Sequence, residues 1–397
     1  MRSAGHRTNP RRHGKGLRAG DERLARMTSR DSRERARQAR VDRSEKLMRS
    51  LAELSDRQLS DLVEDAPVLG SGIGGTASLA CVDGVSVFVK RLALTDRERL
   101  PANVGSTANL FDLPACCHYG VGSPSFSAWR ELAASTMTTR WVREGRTASF
   151  PLLHHSRVLE GSAFGGSLPD DLADVEGLVE YWHDSPAVRQ RLEALAESSA
   201  TVALFLEYLP QVLPDWLALN VSDGGEAASA ALTSVEESLR DGVSLMNTSG
   251  LFHFDAHFGN ILVDQHGLYL ADFGLAVSPS FDLSEAESRF LAANRSHDAC
   301  HVMTRLVDWL VTELTDVADW QERDELIERC ARGDEVLAHL PTTAAAIIER
   351  YAPIAVLING FYRRLHGRDR TVPYPSAEAE AACAAADLRG PWQPCST

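Results

Sequence analysis

Two clusters of residues in this 397-residue chain have types and spacings suited to handling phosphate. In "LFHFDAHFGNILVDQHGLYLADFGLA", His253-x-Asp255 is followed by Asn260 five residues on and by Asp272-Phe273-Gly274 twelve further. A carboxylate such as Asp255 can orient a hydroxyl and take its proton. The oxygens of Asn260 and Asp272 suit a hard cation such as Mg²⁺. Moving a phosphoryl group needs little covalent help, so positioned charges can supply most of the catalysis.

The second cluster is Gly70-Ser71-Gly72-Ile73-Gly74-Gly75, which fits G-x-G-x-x-G. Dinucleotide folds use the same string, but there it opens a helix whose N-terminus holds a pyrophosphate. Here β-rich sequence follows, with Asp83-Gly84 as a two-residue hairpin signal, and the second run ends in "VFVK" at Lys90. Glycines between antiparallel strands let backbone amides close over a triphosphate. Strand alternation puts Phe88 and Lys90 on one face.

The elements that must position these groups follow from local pattern. Strands are expected near 66–70, 76–82 and 85–92, then a Gly/Pro/Ser-rich connection over 93–125. A helix is expected in "FSAWRELAASTMTTRWVREG", a strand in "SFPLLHHSRVLEG", acidic helices over 169–200 and an apolar strand in "ATVALFLEYLP". Helices dominate from 225, broken by short strands near 260–263 and 268–271. Ser284 and Glu287 form an S-x-x-E capping box about ten residues after Gly274.

The chain's ends read as loose. Residues 1–46 hold 15 Lys/Arg against 6 Asp/Glu, a local balance of +9; the whole chain carries −14, so the remainder carries −23. Such a body repels a phosphate backbone, so nucleic acid is not an expected partner. The basic segment reads as a disordered arm, with Met27 and Met48 as alternative starts, and order is expected from Leu47. Residues 376–397 read as a loose tail. No run approaches the roughly 18 apolar residues of a membrane span, and no apolar run follows the basic start. Seven cysteines without CxxC spacing fit a reducing cytoplasm.

With these motifs in order, the chain resembles the protein-kinase-like superfamily over about residues 66–365. The carriers are the Gly loop, "VFVK", "HFDAHFGN", "ADFGLA" and a hinge-like "FLEYLP". The resemblance implies an α+β, two-lobed fold: a small antiparallel β lobe over 47–209, including the acidic helical insertion, then a larger, mostly helical lobe over 210–375. It implies Asp255 as catalytic base and Gly70, Gly72, Gly75 and Lys90 around the phosphates of ATP. Glu207 and Leu209 would meet adenine through their backbones, with Leu206 beside them, and Asn260 and Asp272 would hold Mg²⁺. The helix glutamate that pairs with Lys90 is expected to be Glu131. Glu98, in the charged run "LTDRERLP", is the alternative and reads as solvated surface. Asp298 would anchor the catalytic loop from below.

Departures bear on the acceptor. Phe254 stands where protein kinases often carry the Arg that pairs with a phosphorylated activation loop, and no A-P-E motif follows Gly274. His257 resembles the loops of aminoglycoside-phosphotransferase-like enzymes, and Phe88 replaces a small residue under adenine. The implied activity is transfer of the γ-phosphate of Mg-ATP to a hydroxyl, with protein Ser/Thr as acceptor. The alternatives are a small-molecule hydroxyl kinase and a pseudokinase acting as a binding module.

Overall fold

The computed structural model describes residues 30–72, 75–120, 122–164, 169–221, 224–334, 337–338, 340–367, 369–388 and 390. Ile73 and Gly74 of the glycine run, residues 1–29 and residues 391–397 lie outside the described residues.

The first element is a helix that the sequence reading placed largely in a disordered arm. α1 (Arg30–Glu53) contains neither Gly nor Pro and is rich in Arg, Glu and Ala, which favour helix. Arg37, Arg40, Val41, Ser44, Leu47 and Leu51 are buried at three- and four-residue spacing. That stripe docks the helix from Arg37 on, so among the described residues order begins seventeen residues earlier than expected. α2 (Asp56–Glu64) follows, with a Ser55–Gln58 capping box.

β1 (Val68–Gly72), β2 (Gly75–Val82) and β3 (Val85–Leu94) form an antiparallel meander. Asp83 and Gly84 both have positive φ, 51° and 75°, as a type I′ turn requires. The connection to the next long helix is not simply extended: it holds α3 (Asp96–Arg99) and a 3₁₀ turn at Ala115–Tyr119. α4 (Ala128–Arg143), β4 (Leu153–Glu160), three helices α5 (Asp170–Ala173), α6 (Val175–Tyr181) and α7 (Pro186–Ala196), and β5 (Ala200–Glu207) complete this part. The five strands pair antiparallel in the order β1-β2-β3-β5-β4.

Both faces of this sheet are covered. Leu47, Leu51, Leu59 and Val63 of α1 and α2 pack on Val87, Val89 and Phe205. Trp129 of α4 packs on Leu92, Leu94, Val202 and Leu204 of the other face. A separate cluster joins the α6–α7 pair to residues 110–126 and reaches Leu275, just past Gly274.

The remainder is mostly helical. β6 (Gln211–Val212), α8 (Leu213–Val221) and α9 (Gly225–Thr248) lead to β7 (Ile261–Asp264) and β8 (Gly267–Leu270). β6, β7 and β8 make a second, antiparallel sheet. α10 (Glu285–Ala293) starts at Ser284, whose capping box with Glu287 is formed as expected. α11 (His297–Leu314), α12 (Trp320–Ala331), α13 (Thr342–Gly367) and α14 (Ser376–Ala385) follow. α13 is long and apolar enough to cross a bilayer by length and composition, and here its apolar residues pack on α11 and α12. The expected loose tail is also corrected in part. Ala379 and Cys383 of α14 are fully buried, and the Cys383 thiol lies 3.1 Å from that of Cys300 on α11.

Glu98 is the clearest reversal. It is 0% exposed and pairs with the equally buried Arg191 of α7 at 2.9 Å. Its carboxylate also accepts hydrogen bonds from Thr95 and from the Ala128 amide at the start of α4. Removing one partner of a buried pair leaves an uncompensated charge, so Glu98→Ala should lose about 3–5 kcal/mol by urea denaturation. A loss below about 1 kcal/mol, the value for a surface pair, would contradict this placement.

Candidate functional site

Lys90 stands on β3, whose alternation sends Val87 and Val89 under α1 and α2, and Phe88 and Lys90 to the other face. Glu131 sits in the first turn of α4, capped by Ser127. The Lys90 ammonium lies 2.7 Å from Glu131 Oε1 and 2.8 Å from Asp272 Oδ1. Burial alone would lower the pKa of this ammonium. The Asp272 and then the Glu131 carboxylate outweigh that, and Lys90 is held charged, above the usual lysine range. Of the two glutamates weighed from sequence, Glu131 is therefore the partner.

The loop after α9 owes its shape to Asp298. That carboxylate, 1% exposed, accepts hydrogen bonds from the backbone amides of His253 at 2.7 Å and Phe254 at 2.8 Å. It also accepts one from the Asn247 side chain at 2.7 Å. Phe254 has φ +62°, a backbone state that costs a bulky residue about 1–3 kcal/mol and needs such bracing. Its ring is buried and stacks on His297 with centroids 4.9 Å apart, which makes an apolar plug of the position after His253.

Asp255 and Asn260 are brought together by this turn. The Asn260 amide nitrogen donates to the Asp255 carbonyl at 3.0 Å and to its Oδ2 at 3.2 Å. With its nitrogen committed there, the Asn260 oxygen is the atom left for a cation. Burial raises the Asp255 carboxyl to about 6. Asp272 also has positive φ, 63°, and its Oδ1 accepts from Lys90 and from the Gly274 amide. Partial desolvation in the cleft would raise its pKa, but Lys90 outweighs that and holds it below the usual carboxylate range. The Ala271 amide donates to the Asn260 carbonyl at 2.9 Å, so the β7–β8 hairpin brings both ends of its sequence to one place.

Lys90, Glu131, Asn260 and Asp272 share a cavity of about 360 Å³, and Asp255 adjoins it through its bond with Asn260. Phe88, Leu206, Leu209 and Leu262 line it together with Lys90, Glu131, Asn260 and Asp272. No group of three or more His, Cys, Asp or Glu placed to hold a metal occurs among the described residues. The oxygen pair of Asp272 and Asn260 nevertheless fits Mg²⁺, which binds through one or two carboxylates and keeps waters or phosphate oxygens in its remaining positions.

The other expected residues are placed as follows. Gly70, Gly72 and Gly75 lie in the β1–β2 hairpin, with Gly72 and Gly75 paired. Gly75 has φ +107°, and a Cβ there would collide with the Arg91 carbonyl oxygen, so the packing of β2 on β3 itself demands glycine. Gly70 has open space around it. Glu207 and Leu209 both line the cavity, and the Glu207 amide is committed to the Leu152 carbonyl at 2.8 Å. His257 accepts from the Gly259 amide at 3.0 Å, and its Nε2 lies 3.9 Å from Asp255 Oδ2.

Two neighbours were not visible in the sequence. A Cβ on Gly120, whose φ is +97°, would sit 3.5 Å from Asp255 Oδ1, so the turn after residues 115–119 borders that carboxylate. Arg40 of α1 binds the Glu207 carboxylate at 2.7 Å. The only sequence signal for Arg40 was its place in a stripe with Arg37, Val41, Ser44, Leu47 and Leu51.

No protein-family model matches this chain, and a search of curated proteins finds no match.

Proposed function

We propose that this protein is an ATP-dependent phosphotransferase of the protein-kinase-like superfamily. In this reading the five-stranded sheet with α4 is the smaller lobe, the helical remainder is the larger one, and the cavity between them takes the nucleotide. The observation that carries it is the Lys90 ammonium held between Glu131 and Asp272, at 2.7 and 2.8 Å, beside apolar walls suited to a purine. Lys90 binds phosphate oxygens, and Glu131 fixes its position. Asp272 and Asn260 would hold Mg²⁺, which supplies positive charge against the phosphate oxygens when bound. Asp255 orients the acceptor hydroxyl and takes its proton. Because all four of Lys90, Asp255, Asn260 and Asp272 are present and converge, an enzyme is favoured over a binding module.

The acceptor is a hydroxyl, with protein Ser/Thr as the first reading. A small-molecule hydroxyl is the second, and one observation favours it. The segment after Gly274 is tied down by residues 107–130 rather than left open as a docking platform. His118 bonds the Leu275 carbonyl at 2.9 Å, Thr107 and Asp282 bond each other, and Tyr119 donates to Asn294 at 2.7 Å. Arg130 and Glu287 form a buried ion pair at 2.7 Å. With Phe254 plugged into the same region, this segment is ordered without a phosphate latch. Incubation with γ-labelled ATP and cell extract tests the reading. Label entering protein supports the first acceptor class and label entering small metabolites the second, whereas no Mg²⁺-dependent transfer to either would refute phosphotransfer.

A further inference from the structure

The chain passes from the first sheet to the second between Glu207, the last residue of β5, and Gln211, the first of β6. This crossing forms one wall of the cavity. On its outer side lies Arg40 of α1, 5% exposed, with its guanidinium bonded in several directions at once. Nε and Nη2 hold the Glu207 carboxylate at 2.7–3.1 Å. Nη1 donates to the Ala148 carbonyl and Nη2 to the Phe150 carbonyl, each at 2.7 Å. The guanidinium carbon lies 4.5 Å from the ring centroid of Tyr269, which belongs to β8 in the second sheet.

Each partner leads to the site. Glu207 is followed by the crossing itself. Residues 148–150 join α4, the helix of Glu131, to β4, and Ser149 accepts the Leu270 amide of β8 at 2.9 Å. Tyr269 is three residues before Asp272. One turn earlier on α1, Arg37 donates to the Val142 carbonyl at 2.7 Å, in the last turn of α4, where a cation satisfies an unpaired helix carbonyl.

We infer that Arg40 is a positioning residue. By binding Glu207, the 148–150 segment and the Tyr269 face together, it sets how far the Lys90–Glu131 side of the cavity stands from the Asn260–Asp272 side. This rests on the phosphotransferase reading given above. A planar guanidinium is needed because the contacts fan out from one plane, and an ammonium on a flexible stem cannot reproduce them. It follows that α1 belongs to the nucleotide-binding body, although it lies outside the stretch that carries the motifs. Only three aliphatic residues of α1, Val41, Leu47 and Leu51, are fully buried in the hydrophobic core, so its two buried arginines carry much of the specificity of docking.

The test uses the full chain and three variants, Arg40→Lys, Arg40→Met and Arg40→Met with Glu207→Gln. Arg40→Met alone leaves the Glu207 carboxylate without its counter-charge, held by the Leu152 amide at 3.2 Å, and the double variant removes that charge. The double variant is expected to melt within about 4 °C of wild type. Its KM for MgATP should nevertheless stay raised roughly ten- to a hundredfold, equivalent to about 1.4–2.8 kcal/mol of lost nucleotide binding, with kcat changed far less. Arg40→Lys should fold and show the same raised KM. If KM returns to the wild-type value in the double variant, or never leaves it in Arg40→Lys, Arg40 only balances a charge and the inference is overturned. Wild-type protein that neither binds nor turns over MgATP would instead defeat the phosphotransferase reading, a result distinct from either of these.

Discussion

On the phosphotransferase reading proposed above, turnover of the Asp255→Asn variant should fall about 10²–10⁴-fold, the usual cost of losing a positioned base, while its affinity for MgATP should stay unchanged. The substitution is close to isosteric, and the backbone amides that shape the loop bond Asp298 rather than Asp255. The loop geometry therefore survives and only the proton acceptor is lost. Titration supplies an independent check. In the proposed role the base would work deprotonated, and burial raises the Asp255 carboxyl to about 6, so kcat/KM of the wild type should climb with pH through that value. The climb is absent from the Asn variant. Steady-state kinetics across pH 4–8 read both effects, and intact turnover in the variant would mean that another group orients the acceptor.

Lys90→Ala acts on binding instead. The ammonium is buried against two carboxylates, and charge-assisted hydrogen bonds of this kind contribute about 1.5–3 kcal/mol each. Its loss would remove the proposed phosphate ligand and leave Glu131 and Asp272 facing each other without a counter-charge. Affinity for MgATP should drop at least about tenfold by calorimetry. Folding stability falls less than for a wholly buried pair, because the Asp272 side chain is 41% exposed and solvent screens it. Unchanged nucleotide affinity would remove Lys90 from the site.

The site was more legible in the sequence than the frame around it. Asp83-Gly84 demands a tight turn, the Ser284–Glu287 box demands a helix start, and both signals are local. The spacing of Asp255, Asn260 and Asp272 reports a loop and a hairpin whose geometry is also nearly local. Glu131 was separable from Glu98 because "AWRELAAS" favours helix, although Glu98 proved buried rather than solvated. What escaped depends on partners far along the chain. Glu98 looks like surface until Arg191 is brought to it across 93 residues. Residues 30–46 read as a solvated arm because the buried stripe there includes Arg37, Arg40 and Ser44, which hydropathy counts as exposed. Such residues are buried only because Val142, Ala148, Phe150, Glu207 and His154 accept or return their hydrogen bonds. The tail helix α14 escaped because alanine carries little hydrophobic signal, yet Ala379 and Cys383 fit closely against Cys300.

On the proposed reading the cavity binds ATP together with Mg²⁺ held by Asp272 and Asn260. Calorimetric titration of ATP into the wild type and Asp272→Ala, each with and without Mg²⁺, decides this. Wild-type affinity should rise when Mg²⁺ is added, and in Asp272→Ala that dependence should vanish. Equal affinity in all four titrations, or no binding to the wild type, would contradict the claim.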